Sequence, residues 1–135
     1  ESQGEAIHTS TFLGHPVGCA MALAQMGEIR RLKLVERSAK LGTFLRAELA
    51  KIRNPKSEIR NSVRGRGLMV GLELAGDDGA AATAESLKAI KTMLHRGFIL
   101  LPEGEFGNVI SFTPPLTISE AQLKQSVAAL AEVLR

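Results

Sequence analysis

The chain has 135 residues, of which 44% are hydrophobic, so it is long enough for one domain with a packed core. Its single cysteine, Cys19, excludes an internal disulfide and a cysteine-rich zinc site, and its setting among small apolar residues predicts a buried, inert thiol. The sequence contains no apolar run of about 18 residues and no signal-peptide pattern, so we expect a cytoplasmic protein without a membrane partner.

The net charge of +3 is unevenly distributed along the chain. Residues 30–66 contain twelve Lys or Arg and three Asp or Glu, which gives this span +9 and leaves −6 for the rest. A basic stretch of this kind can bind nucleic acid. Here the charges recur at helical intervals and Phe44 is the only aromatic residue among them, so we expect solvated helix faces and no nucleic-acid partner.

Residues 1–15 are predicted to be irregular, and a helix is predicted to begin at Pro16, because proline suits the first helical position. Ser10 and Thr11 therefore lie just ahead of a helix start, where free N–H groups favour an anion such as phosphate. The same residues can equally form a turn or a cap, and their spacing alone does not decide between the two.

The next elements alternate between helix and strand patterns. The first helix should continue to about Leu32, and a second helical pattern should follow it and end near Asn54–Pro55, because the residue before a proline avoids the helical region. The pattern leaves open whether Lys33 is a break between two helices or a bend in one. A short extended segment at 59–63, punctuated by the glycines after it, precedes a buried strand at 68–74.

A further helix is predicted over 83–96, with Gly97 as its stop, followed by strands at 98–101 and 108–112. Ser119 begins a closing helix with a capping-box pattern. The order of two helices, two strands, a helix, two strands and a helix predicts an α+β domain with a small sheet covered by helices.

The segment HTSTFLGHPVGCAMALA at residues 8–24 resembles the one that follows the cofactor lysine in class III pyridoxal-phosphate aminotransferases, such as the ornithine, acetylornithine and 4-aminobutyrate enzymes. The resemblance implies that Thr11 contacts the phosphate of pyridoxal 5'-phosphate bound in the partner subunit of a homodimer, with Ser10 as a second candidate. His15 stands where the family usually has Asn.

The resemblance extends to the C-terminus, since VRGRGLMVG at 63–71, GFILL at 97–101 and the segment from 108 to 118 are similar to the family's last strands. It implies the C-terminal small domain of a fold-type I enzyme at 16–135, with residues 1–15 as the tail of the large domain. The family's Schiff-base lysine and acidic partner lie upstream, and none of the seven lysines has that setting. The chain also begins with Glu rather than Met, so we expect an inactive fragment of a longer enzyme.

Ser111 departs from the family pattern, because the resemblance places a carboxylate-binding arginine at this position. A guanidinium binds a carboxylate through two charged hydrogen bonds, which a hydroxyl cannot reproduce. Arg64 and Arg66 are possible substitutes, although strand-end charges facing solvent are the simpler interpretation. No histidines or cysteines stand at metal-ligand spacing, so no metal site is predicted.

These patterns together predict an enzyme that moves an amino group between an amine or ω-amino acid and a 2-oxo acid. Two alternatives stay open: an aminomutase or racemase of the same fold that uses the same cofactor, and a non-catalytic α+β binding module.

Overall fold

A computed structural model describes residues 12–52 and 59–135. The chain divides into two compact units, an N-terminal unit that ends at Lys33 and a C-terminal unit, Leu34–Arg135. The predicted domain boundary after residue 15 stays a prediction. Eight elements follow in chain order: α1 (Pro16–Arg31), α2 (Leu34–Leu49), β1 (Ile59–Arg66), β2 (Met69–Gly76), α3 (Thr83–His95), β3 (Leu101–Glu103), β4 (Val109–Phe112) and α4 (Glu120–Val133).

The N-terminal unit is described from Phe12 and contains α1, which buries none of its residues. Cys19 is exposed, so the prediction of a buried thiol is wrong: among the described residues, nothing covers the helix that carries it. The helix ends at Arg31, and Lys33 adopts a left-handed conformation with φ 49°, which breaks the chain into two helices rather than bending one.

The C-terminal unit is a four-stranded antiparallel sheet in the order β1-β2-β4-β3, packed against three helices. The predicted α+β architecture and the predicted order of elements are confirmed. Alternate residues of β2 are buried, and they share one face of the sheet with Ile110 and Phe112 of β4. The core on this face is completed by side chains of α2, α3 and α4, among them Leu45, Met93 and Leu130.

The hairpin between β1 and β2 explains why β1 is longer than predicted. Arg66 pairs with Met69, so the loop has only two residues, and Gly67 takes its first position with φ 55°. Gly65 lies inside the strand, where an added Cβ would come within 2.2 Å of the Met69 carbonyl oxygen. The glycines that suggested a break are therefore positions of close backbone approach within a continuous hairpin.

The strand predicted at 98–101 begins instead at Leu101, because the preceding residues terminate α3. Gly97 has φ 86° and donates to the Leu94 carbonyl at 3.0 Å, while Phe98 N–H donates to the Met93 carbonyl at 2.9 Å. These are the two bonds of a Schellman motif, so Phe98 cannot use its N–H in a strand ladder.

Helix α3 buries Ser86, Ala89, Ile90 and Met93, whereas Leu87 and Leu94 are exposed. At the other end of the unit, α4 has the predicted capping box: the Ser119 hydroxyl accepts from Gln122 N–H, and the Gln122 side chain accepts from Ser119 N–H.

Candidate functional site

The start of α1 has the predicted geometry of a helix entry. Pro16 occupies the first helical position, and His15 is the N-cap, with its Nδ1 accepting the Gly18 N–H at 3.3 Å. His15 therefore satisfies one of the free N–H groups at the helix start, as a capping side chain does. Thr11 and Ser10, the predicted phosphate contacts, lie outside the described residues.

Ser111 lies half-buried in β4, between Gly71 of β2 and Leu101 of β3. Residues directly opposite each other in antiparallel strands project to the same face, so Arg64, which pairs with Gly71, also belongs to this row. The row lies on the face opposite the helices, because Leu72 and Ile110, the adjacent pair, are in the core. Gly71 has no side chain, and Val109 packs over its backbone, since an added Cβ would lie 2.8 Å from the Val109 Cγ1.

Arg64 forms an ion pair with an acidic neighbour on this open face of the sheet. Its guanidinium donates to the Glu73 carboxylate, which also accepts from the Ser62 hydroxyl at 3.4 Å. The hydrogen bond from Arg64 lowers the pKa of Glu73 below its ordinary value, against an opposing effect of desolvation. The face thus carries an ion pair, and Arg64 is not free to bind another anion without losing it.

Arg66, two residues further along the same strand, has no such acceptor. It is exposed, and its guanidinium makes no hydrogen bond or ion pair with the described residues, although its backbone pairs with Met69. Arg66 borders a cavity of about 250 Å³, whose lining also includes Ser38, Met69, Thr113 and Leu116. The sequence suggested Arg64 and Arg66 as equivalent cations, and the structure distinguishes them by their partners.

Arg37 of α2 fixes the turn that follows β4. Its guanidinium donates to the carbonyls of Leu116 at 3.2 Å and Thr117 at 3.3 Å, and also to that of Ile118. Sequence reasoning missed this residue, because its acceptors are backbone groups about eighty positions away. The turn borders the 250 Å³ cavity and a second, mostly apolar cavity of about 360 Å³ lined by Phe98, Phe112 and Pro115 among others.

The described lysines, Lys33, Lys40, Lys51, Lys88, Lys91 and Lys124, are all exposed. Over residues 12–52 and 59–135 there is no group of three His, Cys, Asp or Glu side chains placed to hold a metal ion. Within the same ranges no helix is long and apolar enough to cross a membrane.

The sequence is similar to a known protein family over nearly its whole length. The model of the family described as Aminotransferase class-III matches residues 2–134. An acetylornithine aminotransferase from Synechocystis is 35% identical over 127 residues, covering 94% of this chain and 28% of the relative. A 5-aminovalerate aminotransferase from Pseudomonas aeruginosa is 40% identical over 124 residues, covering 90% of this chain and 29% of the relative. The chain thus spans less than a third of the relatives it matches.

Solved structures show the same similarity. An aminotransferase from Bacillus anthracis superposes with a TM-score of 0.83 at 25% identity, covering 99% of this chain and 31% of the other. A phospholyase from Arthrobacter in complex with phosphoethanolamine gives a TM-score of 0.81 at 28% identity, covering 88% of this chain and 28% of that one.

Proposed function

We propose, since the chain belongs to the class-III aminotransferase family, that it acts as the C-terminal part of an enzyme that moves an amino group between an amine or ω-amino acid and a 2-oxo acid. The observation that carries the proposal is the family match over residues 2–134, which leaves almost no part of the chain for another function. The relatives named above, acetylornithine and 5-aminovalerate aminotransferases, act on donors of this kind.

The family uses pyridoxal 5'-phosphate, which stabilises the carbanion formed at the carbon that carries the amino group. The described residues do not by themselves make a site for it, because every described lysine is exposed on the surface of the chain. We therefore assign this chain a contributing role: Thr11 and Ser10 bind the cofactor phosphate, and the lysine comes from another part of the enzyme.

The phosphate contact is proposed to cross the interface of a homodimer in the cytoplasm. Support comes from α1, where Val17, Met21 and Leu23 are each more than 60% exposed although the helix is rich in apolar residues. Such a helix is normally covered in a folded protein. Light scattering of the 135-residue chain should therefore show self-association, and a monodisperse monomer at all concentrations would contradict this part of the proposal.

Ser111 is proposed to line the substrate pocket from the open face of the sheet. Its pairing with Gly71 and Leu101 puts it on the sheet face opposite the helices. A serine here offers one neutral hydrogen bond, so this position would contribute little to binding a carboxylate.

The test is a titration of the full-length polypeptide with pyridoxal 5'-phosphate, followed by a panel of amines and ω-amino acids. We expect the cofactor absorbance to change on binding, and to change again when a donor converts the bound cofactor to its amino form. Binding with no conversion by any donor would favour an aminomutase or racemase instead. Absence of cofactor binding would favour a non-catalytic module.

A further inference from the structure

The guanidinium of Arg66 differs from those of the arginines around it because it has no hydrogen-bond acceptor among the described residues. Arg37 donates to three backbone carbonyls, Arg46 to the Gly65 carbonyl at 2.6 Å, and Arg64 and Arg96 each pair with a glutamate. The guanidinium of Arg66 donates to none of the described residues. A guanidinium whose five N–H donors are uncommitted is available to a ligand that can accept them in pairs.

The cavity beside Arg66 adds further donors within apolar walls. Ser38 accepts the Leu68 N–H at 3.1 Å, which leaves its own hydroxyl proton for another acceptor, and Thr113, a second hydroxyl-bearing residue, lines the same space. Met69 and Leu116 supply apolar surface. An ion pair that is partly shielded from water by such surface is stronger than one in open solvent. The cavity volume of about 250 Å³ is ample for a carboxylate and the carbons next to it.

We propose that Arg66, with the hydroxyls of Ser38 and Thr113, binds the carboxylate of the substrate. The proposal rests on the proposed function and names the group that replaces an arginine at Ser111. The strand register supports it, because Arg66 and Ser111 lie on the same face, two strands and one residue pair apart. Standard strand spacings put their Cα atoms about 12 Å apart. A substrate held at Arg66 by its carboxylate would thus extend toward Ser111.

The direct test is a titration of the 135-residue chain with 5-aminovalerate, monitored by NMR of the arginine side chains. Pentylamine is the matched ligand that lacks the carboxylate. We expect 5-aminovalerate, and not pentylamine, to shift the Arg66 side-chain signal. Arg66→Gln should weaken binding by at least about tenfold, and Arg66→Lys by less, since it keeps the charge but loses the paired donors.

Arg96→Gln is the control, because it removes the same charge from a residue that pairs with Glu132 at the far ends of α3 and α4. Equal weakening by the two variants would show a general charge effect and overturn the proposal. So would inorganic phosphate binding at Arg66 while 5-aminovalerate does not bind.

Kinetics of the full-length enzyme separate this inference from the proposed function. Arg66→Gln should raise the KM for 5-aminovalerate at least about tenfold with little change in kcat, and leave the KM for pentylamine unchanged. An active enzyme whose KM does not respond to Arg66→Gln overturns the inference and leaves the proposed function intact. An enzyme that converts no donor overturns the proposed function, and the binding test then decides the carboxylate site independently.

Discussion

Helices α1 and α2 both have sixteen residues, yet α1 buries none of them and α2 buries five. The buried residues of α2 recur at helical spacing along one side, which is sufficient to cover the sheet. In α1 the apolar residues from Val17 to Ala24 run all round the helix, a composition typical of helices that are enclosed. The C-terminal unit thus buries its apolar side chains in a core of its own, whereas those of α1 stay exposed in the single chain.

Truncation of one leucine in each helix tests the difference in burial between α1 and α2 most directly. Leu45→Ala should lower the free energy of unfolding by about 2–5 kcal/mol, because Leu45 is fully buried in the core. Leu23→Ala should change it by less than about 0.5 kcal/mol at dilutions where the chain is monomeric, because Leu23 is 67% exposed in the single chain. Urea denaturation of both variants at such dilutions measures the difference, and a large loss for Leu23→Ala would show that α1 is covered within one chain.

Substituting one glycine in each helix tests the same difference, because only the glycine of α2 has close neighbours. A Cβ on Gly42 would lie 1.9 Å from the Gly67 carbonyl oxygen, so Gly42→Ala should destabilise the C-terminal unit by at least about 1–3 kcal/mol. Gly27 of α1 has no such neighbour within 4 Å, so Gly27→Ala should stabilise that helix by roughly 0.5–1 kcal/mol. Urea melts and far-UV circular dichroism report the two effects, and effects of the same sign would refute the contrast.

Two buried polar side chains of the C-terminal unit differ in their hydrogen bonds. The buried Ser86 hydroxyl has no hydrogen-bond partner within residues 12–52 and 59–135, so Ser86→Ala should be neutral or raise the free energy of unfolding by about 1 kcal/mol. The Asn108 amide donates to the buried Leu74 carbonyl at 2.9 Å, so Asn108→Ala should cost about 1–3 kcal/mol. Thermal melts at neutral pH compare the two variants, and a substantial loss for Ser86→Ala would reveal a partner for its hydroxyl.

The smallest expected effect belongs to the ion pair on the open face of the sheet. Because Arg64 lowers the pKa of Glu73, the pair stabilises the fold above the unfolded pKa of about 4.3, and this contribution is lost as pH falls through the lower folded value. The pair is largely exposed, so the contribution should be a few tenths of a kcal/mol. Stability measured between pH 6 and pH 2 should depend less on pH in Arg64→Gln, and an unchanged profile would show that the pair contributes nothing.

Much of the fold could be predicted from local signals. Pro16 at the start of α1, the stop at Gly97 and the capping box at Ser119 depend on residues within a few positions of each other, and the structure confirms all three. The buried thiol predicted at Cys19 was wrong because its exposure depends on what covers α1, which the residues next to it in the sequence do not determine.

The site was predicted less completely for the same reason. The resemblance drew attention to Ser111, and the structure places it in β4 on the open face of the sheet. It could not distinguish Arg64 from Arg66, since their difference lies in a cross-strand neighbour, Glu73. Nor could it reveal Arg37, whose acceptors are main-chain atoms. The roles of Thr11 and Ser10 remain predictions.

The contact between Arg37 and the turn before α4 has a consequence for biosynthesis. The acceptors of this guanidinium lie 79, 80 and 81 residues further along the chain. At a translation rate of about 5–20 residues per second, Arg37 is made roughly 4–16 s before its partners. Helix α4, which supplies Leu123 and Leu130 to the core, is made later still. The C-terminal unit therefore cannot complete its folding on the ribosome until synthesis of this segment has ended.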